Sequence, residues 1–372
     1  MSEIDFQAEG LLEGVGGEAR EARLDLLERL SGEGVSLEEL REAVESARLT
    51  LLPVERALAG DGPRYSVREI AELSGLDLSL LQRATTALGI PKADPEERSL
   101  TGADLEAARR MKAFRNAGLP EDGLLQVART IGMGTARIAE ANRDLVVKTL
   151  VQPDDTERDL ALRLAAAAEH MMPLFESTLV YALRAHMLEQ TRRDVIGVAD
   201  VAQGEIRGTV ELSVCFADLV EFTRLGEEIA PEELGGVVDR FEEIASAVAE
   251  PPVRLVKMIG DAAMLVSNEP AATLGAALRL IEAAEAEGEE FPFLRAGVAY
   301  GPTLSQSGDY YGRAVNLASR ITAVARPGSV LVDAAVRDFL PDGFAYSFAG
   351  ERRLKGFDSR VKLFRARREP SA

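Results

Sequence analysis

Apolar residues in the first half of the chain recur at helical spacing, and the alternation expected of strands is scarce there. Residues 1–190 are rich in Ala, Leu, Glu and Arg, all of which favour helix. Ser36 and Ser66 each stand three positions before a Glu, which is the spacing of a capping box at a helix start. Breaks rich in Gly and Pro fall at residues 32–34, 60–63 and 91–95. The pattern therefore predicts an all-helical N-terminal domain over residues 1–190.

Strands and helices alternate in the second half of the chain. The segment 191–208 is predicted to be a linker, and a second domain is predicted over residues 209–372. The order of its elements is βαββαβ, which is that of a ferredoxin-like sheet with helices on one face. The fold class predicted for the whole chain is therefore α+β. The predicted strands are 209–216, 253–259, 262–267, 293–300, 329–332 and 361–365, and the predicted helices are 231–250, 271–287 and 316–324.

Length and charge narrow the classes of function. A chain of 372 residues exceeds what one hydrophobic core usually supports, which agrees with two domains. Its net charge of −19 repels nucleic acid and anionic lipid, so binding to nucleic acid is not expected. The sequence contains no run of about 18 uninterrupted apolar residues, and a transmembrane helix is not expected either.

The N-terminus and the single cysteine predict a cytoplasmic location. The chain begins with acidic residues and lacks the basic start and apolar core of a signal peptide. With Cys215 alone, no intrachain disulfide is possible, which fits a reducing compartment. The position of Cys215 within an apolar strand pattern predicts that its side chain is buried.

Two carboxylates stand where predicted strands end. Asp218 follows the strand 209–216, and Asp261 lies at the tip of the hairpin 253–267. In a βαββαβ sheet the first strand lies beside this hairpin, so the two carboxylates are expected to meet. Adjacent carboxylates repel each other unless a divalent cation lies between them. Taken singly, Asp218 is also explained as a helix N-cap and Asp261 as a turn residue.

Three sequence motifs follow one another at matching elements of the predicted domain. They are FADLVEFT at Phe216–Thr223, KMIGDAAML at Lys257–Leu265 and GDYYGRAVNLASR at Gly308–Arg320. Together they resemble the catalytic domain of class III adenylyl and guanylyl cyclases, over roughly residues 207–370. The agreement of three separate motifs makes the resemblance specific, whereas any one of them alone is a weak signal.

The resemblance implies a metal site and an adenine site. Asp218 and Asp261 correspond to the ligands of two divalent cations, Mg²⁺ or Mn²⁺. Lys257 and Asp309 correspond to the pair that reads the adenine edge, where Lys donates to a ring acceptor and Asp accepts from the exocyclic amine. Guanine presents the opposite pattern of donors and acceptors, so ATP rather than GTP is the expected substrate.

The other implied roles concern the ribose and the phosphates. Asn316 would orient the ribose and Arg320 would stabilise the transferring phosphoryl group; as i and i+4 residues they share one helix face. Lys355, in the sequence RRLKG, would contact the terminal phosphates. Each of these side chains is also explained without a role in binding, for example as an ordinary surface cation. Backbone N–H groups expected to cradle the phosphates belong to Leu219, Val220, Glu221, Phe222 and Thr223.

The implied reaction is the conversion of ATP to 3′,5′-cyclic AMP and pyrophosphate by two-metal catalysis. In this family the metal carboxylates come from one chain, and the Lys, Asp, Asn and Arg come from the other. A chain that carries both sets therefore implies a homodimer with two equivalent sites. Two alternatives stay open: a GTP substrate, and a transcriptional regulator whose C-terminal domain only binds nucleotide.

A helix-turn-helix-like segment covers residues 65–90 and, with the helices that follow it, resembles MerR-like domains. Its second helix carries a single cation, Arg83, whereas a helix that reads DNA needs a basic face. Reuse of the motif for packing is therefore the favoured interpretation, and DNA binding is the alternative.

The N-terminal half also resembles the regulatory half of a soluble, acid-responsive bacterial adenylyl cyclase. His170 and His186 are the two histidines of the chain, and histidine titrates near neutral pH. We hypothesise that their protonation resets the helix that leads into residues 191–208. Ordinary packing of the histidines and pH sensing by carboxylate clusters are equally open. The segment 160–187, rich in Ala, Leu and Met, is expected to pack as a dimer helix or to line a pocket for a small-molecule or lipid effector.

Overall fold

The computed structural model describes two compact units, Met1–Val195 and Ile196–Ala372. Within the described residues, no helix combines the length and the apolar character needed to cross a membrane. For residues 192–201 only the backbone is described. The described residues are 4–60, 62–201, 209–288, 290–306, 308–339 and 343–369.

The N-terminal unit is helical, as the sequence predicts. Its helices are α1 (Gly17–Gly32), α2 (Leu37–Glu45), α3 (Leu52–Ala59), α4 (Val67–Ser74), α5 (Leu78–Ala87), α6 (Gly102–Asn116), α7 (Glu121–Leu150) and α8 (Glu157–Val201). A short 3-10 helix at Leu49–Leu51 precedes α3. Ser66 and Glu69 form a complete capping box at the start of α4. Ser36 accepts a hydrogen bond from the backbone N–H of Glu39 at the start of α2.

Two apolar clusters stabilise this unit. One cluster joins α1 and α2 to Ala161 of α8, and the other joins α4, α5 and α6 to Leu125 of α7. Each fully buried leucine in them, such as Leu26 and Leu80, contributes about 2 kcal/mol through removal of apolar surface from water. The packing therefore comes from apolar residues at helical spacing, which is the pattern that predicts the helices.

The helix-turn-helix-like segment forms α4 and α5, with a turn at Gly75 between them. Arg83 is the cation of α5, and it forms an ion pair with Glu121 of α7 at 2.7 Å. Leu80 and Ala84 of α5 pack into the cluster. The basic face that DNA reading needs is therefore lacking on α5, which favours the packing interpretation.

The last helix of this unit continues to Val201, so the first part of the predicted linker 191–208 is helical. The sequence there contains a single Gly and no Pro, and nothing in it forces the helix to end. Residues 202–208 lie outside the described residues. The domain boundaries at 190 and 208 stay predictions.

The C-terminal unit contains eight strands and five helices within its described residues. The strands are β1 (Thr209–Leu219), β2 (Arg254–Ile259), β3 (Ala262–Ser267), β4 (Leu294–Gln306), β5 (Asp309–Tyr311), β6 (Ser329–Asp333), β7 (Phe344–Arg352) and β8 (Val361–Arg368). The helices are α9 (Phe222–Glu228), α10 (Pro231–Val248), α11 (Pro270–Ala286), α12 (Arg313–Val324) and α13 (Ala334–Phe339).

The strands form one sheet in the order β2-β3-β1-β4-β6-β8-β7, with β5 paired to β4. The part β2-β3-β1-β4 is antiparallel and has the strand order of a ferredoxin-like fold, as predicted. β4 and β6 pair in parallel, and β8 and β7 extend the sheet in antiparallel pairings. The hairpin β2–β3 therefore lies directly against β1, so that the ends of these strands are neighbours.

Side chains of β1 alternate between two cores on opposite faces of the sheet. Cys215 and Ala217 face the core that α10 and α11 cover, whereas Leu212 and Val214 face the core that α12 covers. Helices therefore lie on both faces, and the expectation of helices on one face holds only for α10 and α11. Cys215 is buried as predicted, and burial raises the pKa of its thiol to about 12.

The structure adds α9, β5, α13 and β7 to the predicted elements. The first three are too short for a hydrophobic period to appear in the sequence. β7 is an edge strand with few buried side chains, and its pairing with β8 shifts register between Phe348 and Gly350. An irregular edge strand lacks the clean alternation by which strands are recognised.

Candidate functional site

The two predicted metal ligands lie together at the ends of neighbouring strands. Asp218 is near the end of β1, where it pairs with Ala262 of β3, and Asp261 stands in the turn just before β3. The N–H of Leu219 donates to the carbonyl oxygen of Asp261 at 3.0 Å, which fixes the turn against β1. The two carboxylates are close enough that the charge of Asp261 contributes to a raised pKa of Asp218.

Arg295 of β4 is the partner of Asp218 on its other side. Its guanidinium donates to both carboxylate oxygens of Asp218, at 2.7 and 3.1 Å. It also donates to the carbonyl oxygen of Ala323, near the end of α12, at 3.3 Å. Burial raises the pKa of Asp218, and this ion pair opposes the rise. Sequence reasoning missed Arg295, because the contact depends on the register of β1 with β4.

The carboxylates fit a divalent cation that is bound together with phosphate. Oxygen ligands suit hard cations, and Mg²⁺ is commonly held by one or two carboxylates with the remaining positions taken by water and substrate phosphates. Asp218 and Asp261 supply that number of carboxylates. Within the described residues, no cluster of three or more His, Cys, Asp or Glu side chains suited to a metal is present. A Mg²⁺ ion held by two carboxylates has further coordination positions for water and for phosphate oxygens.

The predicted phosphate-binding segment connects β1 to α9. The N–H groups of Leu219 and Val220 donate to the carbonyl oxygens of Asp261 and Phe293, at 3.0 and 2.8 Å. These two N–H groups already donate within the protein, so they are removed from the set of backbone donors predicted to bind phosphate. Glu221 has a φ of 59°, and this left-handed residue turns the chain into α9. The donors that are left in the predicted set are those of Glu221, Phe222 and Thr223.

Lys257 of β2 forms a direct ion pair with Asp309 of β5. Both side chains are half-buried, and the carboxylate also accepts a hydrogen bond from the N–H of Tyr310 at 2.8 Å. Burial alone would raise the pKa of Asp309, but these hydrogen bonds outweigh it and hold the pKa below its ordinary value. One residue further along, the phenol of Tyr310 accepts a hydrogen bond from Arg254, so two contacts hold β5 to β2.

Asn316, Arg320 and Lys355 line one pocket of about 670 Å³. Asn316 and Arg320 come from α12, and Lys355 comes from the loop between β7 and β8. All three residues are exposed to solvent and line this common space. Arg313, which the sequence analysis did not single out, lines the same pocket.

The predicted site residues therefore form three groups in one chain. The groups are the carboxylates of Asp218 and Asp261, the pair Lys257 and Asp309, and the pocket on α12. Among the described residues, no hydrogen bond or ion pair joins one group to another. The catalytic and binding roles of these residues stay predictions.

The predicted regulatory residues lie on α8. His170 and His186 are both exposed in the N-terminal unit, so neither is a core histidine within that unit. A pocket of about 410 Å³ lies between α1, α3 and α8, with apolar walls and several charged side chains. Its lining includes Leu26, Arg29, Leu30, Glu33, Pro53 and Glu169. Binding of an effector there stays a prediction.

Asp333, a carboxylate at the end of β6 and outside these groups, is buried and has a raised pKa. Asp333 is only 5% exposed and accepts a hydrogen bond from the N–H of Val336 at 3.0 Å. Burial raises its pKa from 3.8 to about 6, against the lowering effects of this hydrogen bond and of the charge of Arg313. Folding therefore favours the protonated form. The stability that this site contributes is complete below the ordinary pKa and is lost as pH rises through the folded-state pKa.

We expect Asp333→Asn to stabilise the protein at about pH 8 by up to about 3 kcal/mol, and to change little at about pH 4. Asparagine cannot ionise, yet it caps a helix start as well as aspartate does. Urea unfolding at the two pH values measures the difference. Asp239→Asn, on the exposed face of α10, is the control and should show no such pH dependence. A stabilisation of equal size at both pH values would contradict the assignment.

The chain matches two protein-family models. Residues 4–192 match the adenylate cyclase regulatory domain, and residues 205–365 match the adenylate and guanylate cyclase catalytic domain. A pH-sensitive adenylate cyclase of Mycobacterium tuberculosis is 40% identical to it, over 98% of this chain and 92% of the relative. An adenylate cyclase of Streptomyces griseus is 34% identical, over 76% of this chain and 70% of the relative.

A solved structure is also similar in its C-terminal part. The adenylyl cyclase CyaB from P. aeruginosa is 22% identical, covers 44% of this chain and 96% of its own, and gives a TM-score of 0.40. The family matches and the identity to the M. tuberculosis relative extend over nearly the whole chain. The chain therefore belongs to the class III nucleotide cyclases, and it is an adenylate cyclase with a regulatory domain ahead of its catalytic domain.

Proposed function

We propose that this enzyme converts ATP to 3′,5′-cyclic AMP and pyrophosphate at two sites between two copies of the chain, using two divalent cations, Mg²⁺ or Mn²⁺. The observation that carries the proposal is the separation of the candidate residues into groups. Asp218 and Asp261 form one group and the α12 pocket forms another, and among the described residues no hydrogen bond or ion pair joins the two. Symmetric pairing of two chains would bring the carboxylates of one to the pocket of the other.

The adenine base is read by Lys257 and Asp309. In the structure these side chains satisfy each other, and the lowered pKa of Asp309 keeps its carboxylate charged. Adenine offers a ring nitrogen to the ammonium group and an amino group to the carboxylate, so it can take the place of their mutual contact. Guanine presents a ring N–H to the ammonium group and a carbonyl oxygen to the carboxylate. It would face each side chain with a group of the wrong kind, which leaves buried polar atoms unpaired.

The ribose and the phosphates are held by the α12 pocket. Asn316 orients the ribose through its side-chain amide, which fixes the direction of the 3′-hydroxyl. The guanidinium of Arg320 stabilises negative charge on the α-phosphate as it develops, and Lys355 binds the terminal phosphates. These groups are set on a helix and a loop that pack against the same core.

Asp218 and Asp261 would hold the divalent cations. Bound there, the cations would neutralise phosphate charge and lower the pKa of the attacking hydroxyl. The 3′-hydroxyl gives up its proton to solvent, its oxygen attacks the α-phosphorus in line, the bond from that phosphorus to the bridging oxygen breaks, and pyrophosphate leaves. Arg295 keeps the Asp218 carboxylate in a fixed orientation through its paired hydrogen bonds.

Regulation belongs to the N-terminal unit in this proposal, with pH as the signal. The similarity to a relative described as pH-sensitive supports this assignment. The side chains of His170 and His186 are exposed on α8, and they stay the hypothesised sensors. A transcriptional role is not favoured, because Arg83 of α5 is neutralised by Glu121.

Product formation from ATP and from GTP tests the proposal. The full chain and a fragment of residues 195–372 are compared with Mn²⁺ or Mg²⁺, at acidic and at neutral pH. We expect cyclic AMP from ATP, with a preference over GTP of at least about a hundredfold in kcat/KM. The rate should depend on pH more strongly in the full chain than in the fragment.

Three outcomes would each contradict a different part of the proposal. Comparable rates with GTP would overturn the assignment of Lys257 and Asp309 to the base. A pH dependence that is identical in the full chain and in the active fragment would remove the regulatory role of the N-terminal unit. Absence of any cyclic nucleotide from folded full-length protein would contradict the proposed reaction itself.

A further inference from the structure

Three polar residues of α12 share one face of the helix. Arg313, Asn316 and Arg320 stand at positions i, i+3 and i+7, and all three are exposed and line the same pocket. The helix begins at Arg313 because Gly312 has a φ of 138° and lies close to Pro302. A Cβ atom at Gly312 would lie 3.0 Å from the carbonyl oxygen of Pro302, so a side chain there would be strained. The backbone of Arg313 is therefore fixed at the first position of α12.

The side chain of Arg313 is restrained by an aromatic ring. Its guanidinium carbon lies 5.4 Å from the centroid of Phe357, within the range of a cation–π contact. Phe357 packs against the core that α12 covers, next to the buried Leu354. Lys355 stands between these two anchored residues. Phe357 thus restrains the side chain of Arg313, and Lys355 from the same loop adds a second positive charge to the pocket.

The charges of the pocket are strongly biased. Arg313, Arg320 and Lys355 supply three positive charges against one negative charge from Asp358, although the whole chain carries a net charge of −19. Among the described residues, no carboxylate forms a direct ion pair with Arg313, although its charge also acts on the buried Asp333. Gly312 and Arg313, at the start of α12, both line the pocket, and the N-terminal end of a helix favours an anion.

We propose that Arg313 is a further binding residue for the terminal phosphates of ATP and for the pyrophosphate that leaves. This inference rests on the proposed function and extends it. Asn316 and Arg320 occupy the part of the helix face assigned to the ribose and the α-phosphate. Arg313 lies one turn before Asn316, on the same face and beside Lys355. A guanidinium there matches the planar, two-oxygen edge of a phosphate, and its charge stabilises the leaving group as the bond breaks.

Pyrophosphate binding to the full chain tests the inference directly. Isothermal titration with pyrophosphate in the presence of Mg²⁺ is carried out on the wild type, Arg313→Ala, Arg313→Lys and Arg353→Ala. Arg353 is an exposed arginine of the same region that does not line the pocket, so it is the matched control. We expect Arg313→Ala to weaken pyrophosphate binding by about tenfold or more, and Arg313→Lys to weaken it less. Arg353→Ala should bind as the wild type does.

Titration with cyclic AMP, which has no terminal phosphates, separates a binding role from a structural one. Arg313→Ala is expected to keep its affinity for cyclic AMP while it loses affinity for pyrophosphate. Equal losses for both ligands, or a pyrophosphate affinity equal to that of Arg353→Ala, would overturn the inference. If wild type cyclises ATP and Arg313→Ala binds pyrophosphate normally, only the inference fails. If wild type neither cyclises ATP nor binds pyrophosphate, the proposed function fails and the inference with it.

Discussion

Replacement of Asp261 by Asn is expected to lower kcat for cyclic AMP formation by about a thousandfold, and Asp218→Asn should have an effect of the same order. Each change keeps the shape of the side chain but removes a negative charge that a divalent cation needs. A loss of several kcal/mol of transition-state stabilisation follows from the missing cation. Initial rates at saturating Mn²⁺, together with Mn²⁺ binding in the presence of a non-reacting ATP analogue, measure both parts of the effect.

The two variants differ in what they do to the rest of the protein. Asp218→Asn also removes the ion pair with Arg295, which leaves a half-buried guanidinium without its carboxylate. Asp261→Asn leaves that pair intact, so it separates the metal role from the structural one. Asp239→Asn, on the exposed face of α10, is the control for the loss of a negative charge. Wild-type activity in folded Asp261→Asn would show that this carboxylate holds no essential cation.

Replacement of Gly297 by Ala is expected to destabilise the catalytic unit by about 3 kcal/mol and to reduce activity with it. Gly297 lies in β4, where α12 packs directly onto the strand. A Cβ atom there would lie 2.4 Å from the backbone nitrogen of Thr322 and 2.7 Å from the carbonyl oxygen of Ala318. Because backbone atoms of a packed helix cannot give way singly, α12 would have to move as a whole. Urea unfolding and the cyclase rate, measured on the same preparation, test this expectation.

Gly235→Ala is the matched control for this substitution. Gly235 lies within α10, and a Cβ atom there meets nothing within 4 Å. Alanine in a helix interior should therefore stabilise the protein slightly, by roughly 0.5–1 kcal/mol. If Gly297→Ala is as stable and as active as Gly235→Ala, the close packing of β4 against α12 is not a constraint on the site.

The sequence predicts the ferredoxin-like core well, because its strands and helices carry clear hydrophobic periods. The strand predicted at 262–267 coincides with β3, and the helix predicted at 231–250 ends only two residues beyond α10. The same periods place Asp218 and Asp261 at strand ends that become neighbours in the sheet. Candidate carboxylates are therefore found from sequence when they follow regular elements whose pairing the fold class dictates.

Contacts that depend on strand register or on loop conformation cannot be predicted from the hydrophobic pattern of the sequence. Arg295 meets Asp218 only because β4 pairs with β1 in one particular register, and its sole signal in the sequence is a cation within an apolar strand. Arg313 has a clearer signal, since it lies on the same helical face as Asn316 and Arg320, but its stacking on Phe357 requires the loop before β8.

The sequence also cannot show which backbone N–H groups are free to bind phosphate. The predicted phosphate loop included Leu219 and Val220, whose N–H groups are used by carbonyl oxygens of Asp261 and Phe293. Neither partner is adjacent in sequence, so the sequence alone cannot show that these donors are taken.

The position of α12 on the second face of the sheet could not be predicted from the sequence either. The apolar stripe of α12 shows that one face is buried, but not which side of the sheet covers it.

Mixing two inactive variants tests most directly whether each site is shared between two chains. Asp261→Asn lacks a metal carboxylate, and Arg320→Ala lacks the α12 guanidinium, so each homodimer should be nearly inactive. In a heterodimer one site would collect both defects and the other would be intact. Co-expression of the two variants with different tags, and purification through both tags, should therefore recover a heterodimer with about half of the wild-type activity. If the purified heterodimer is no more active than the two variants alone, each site is built within a single chain and the proposed arrangement is wrong.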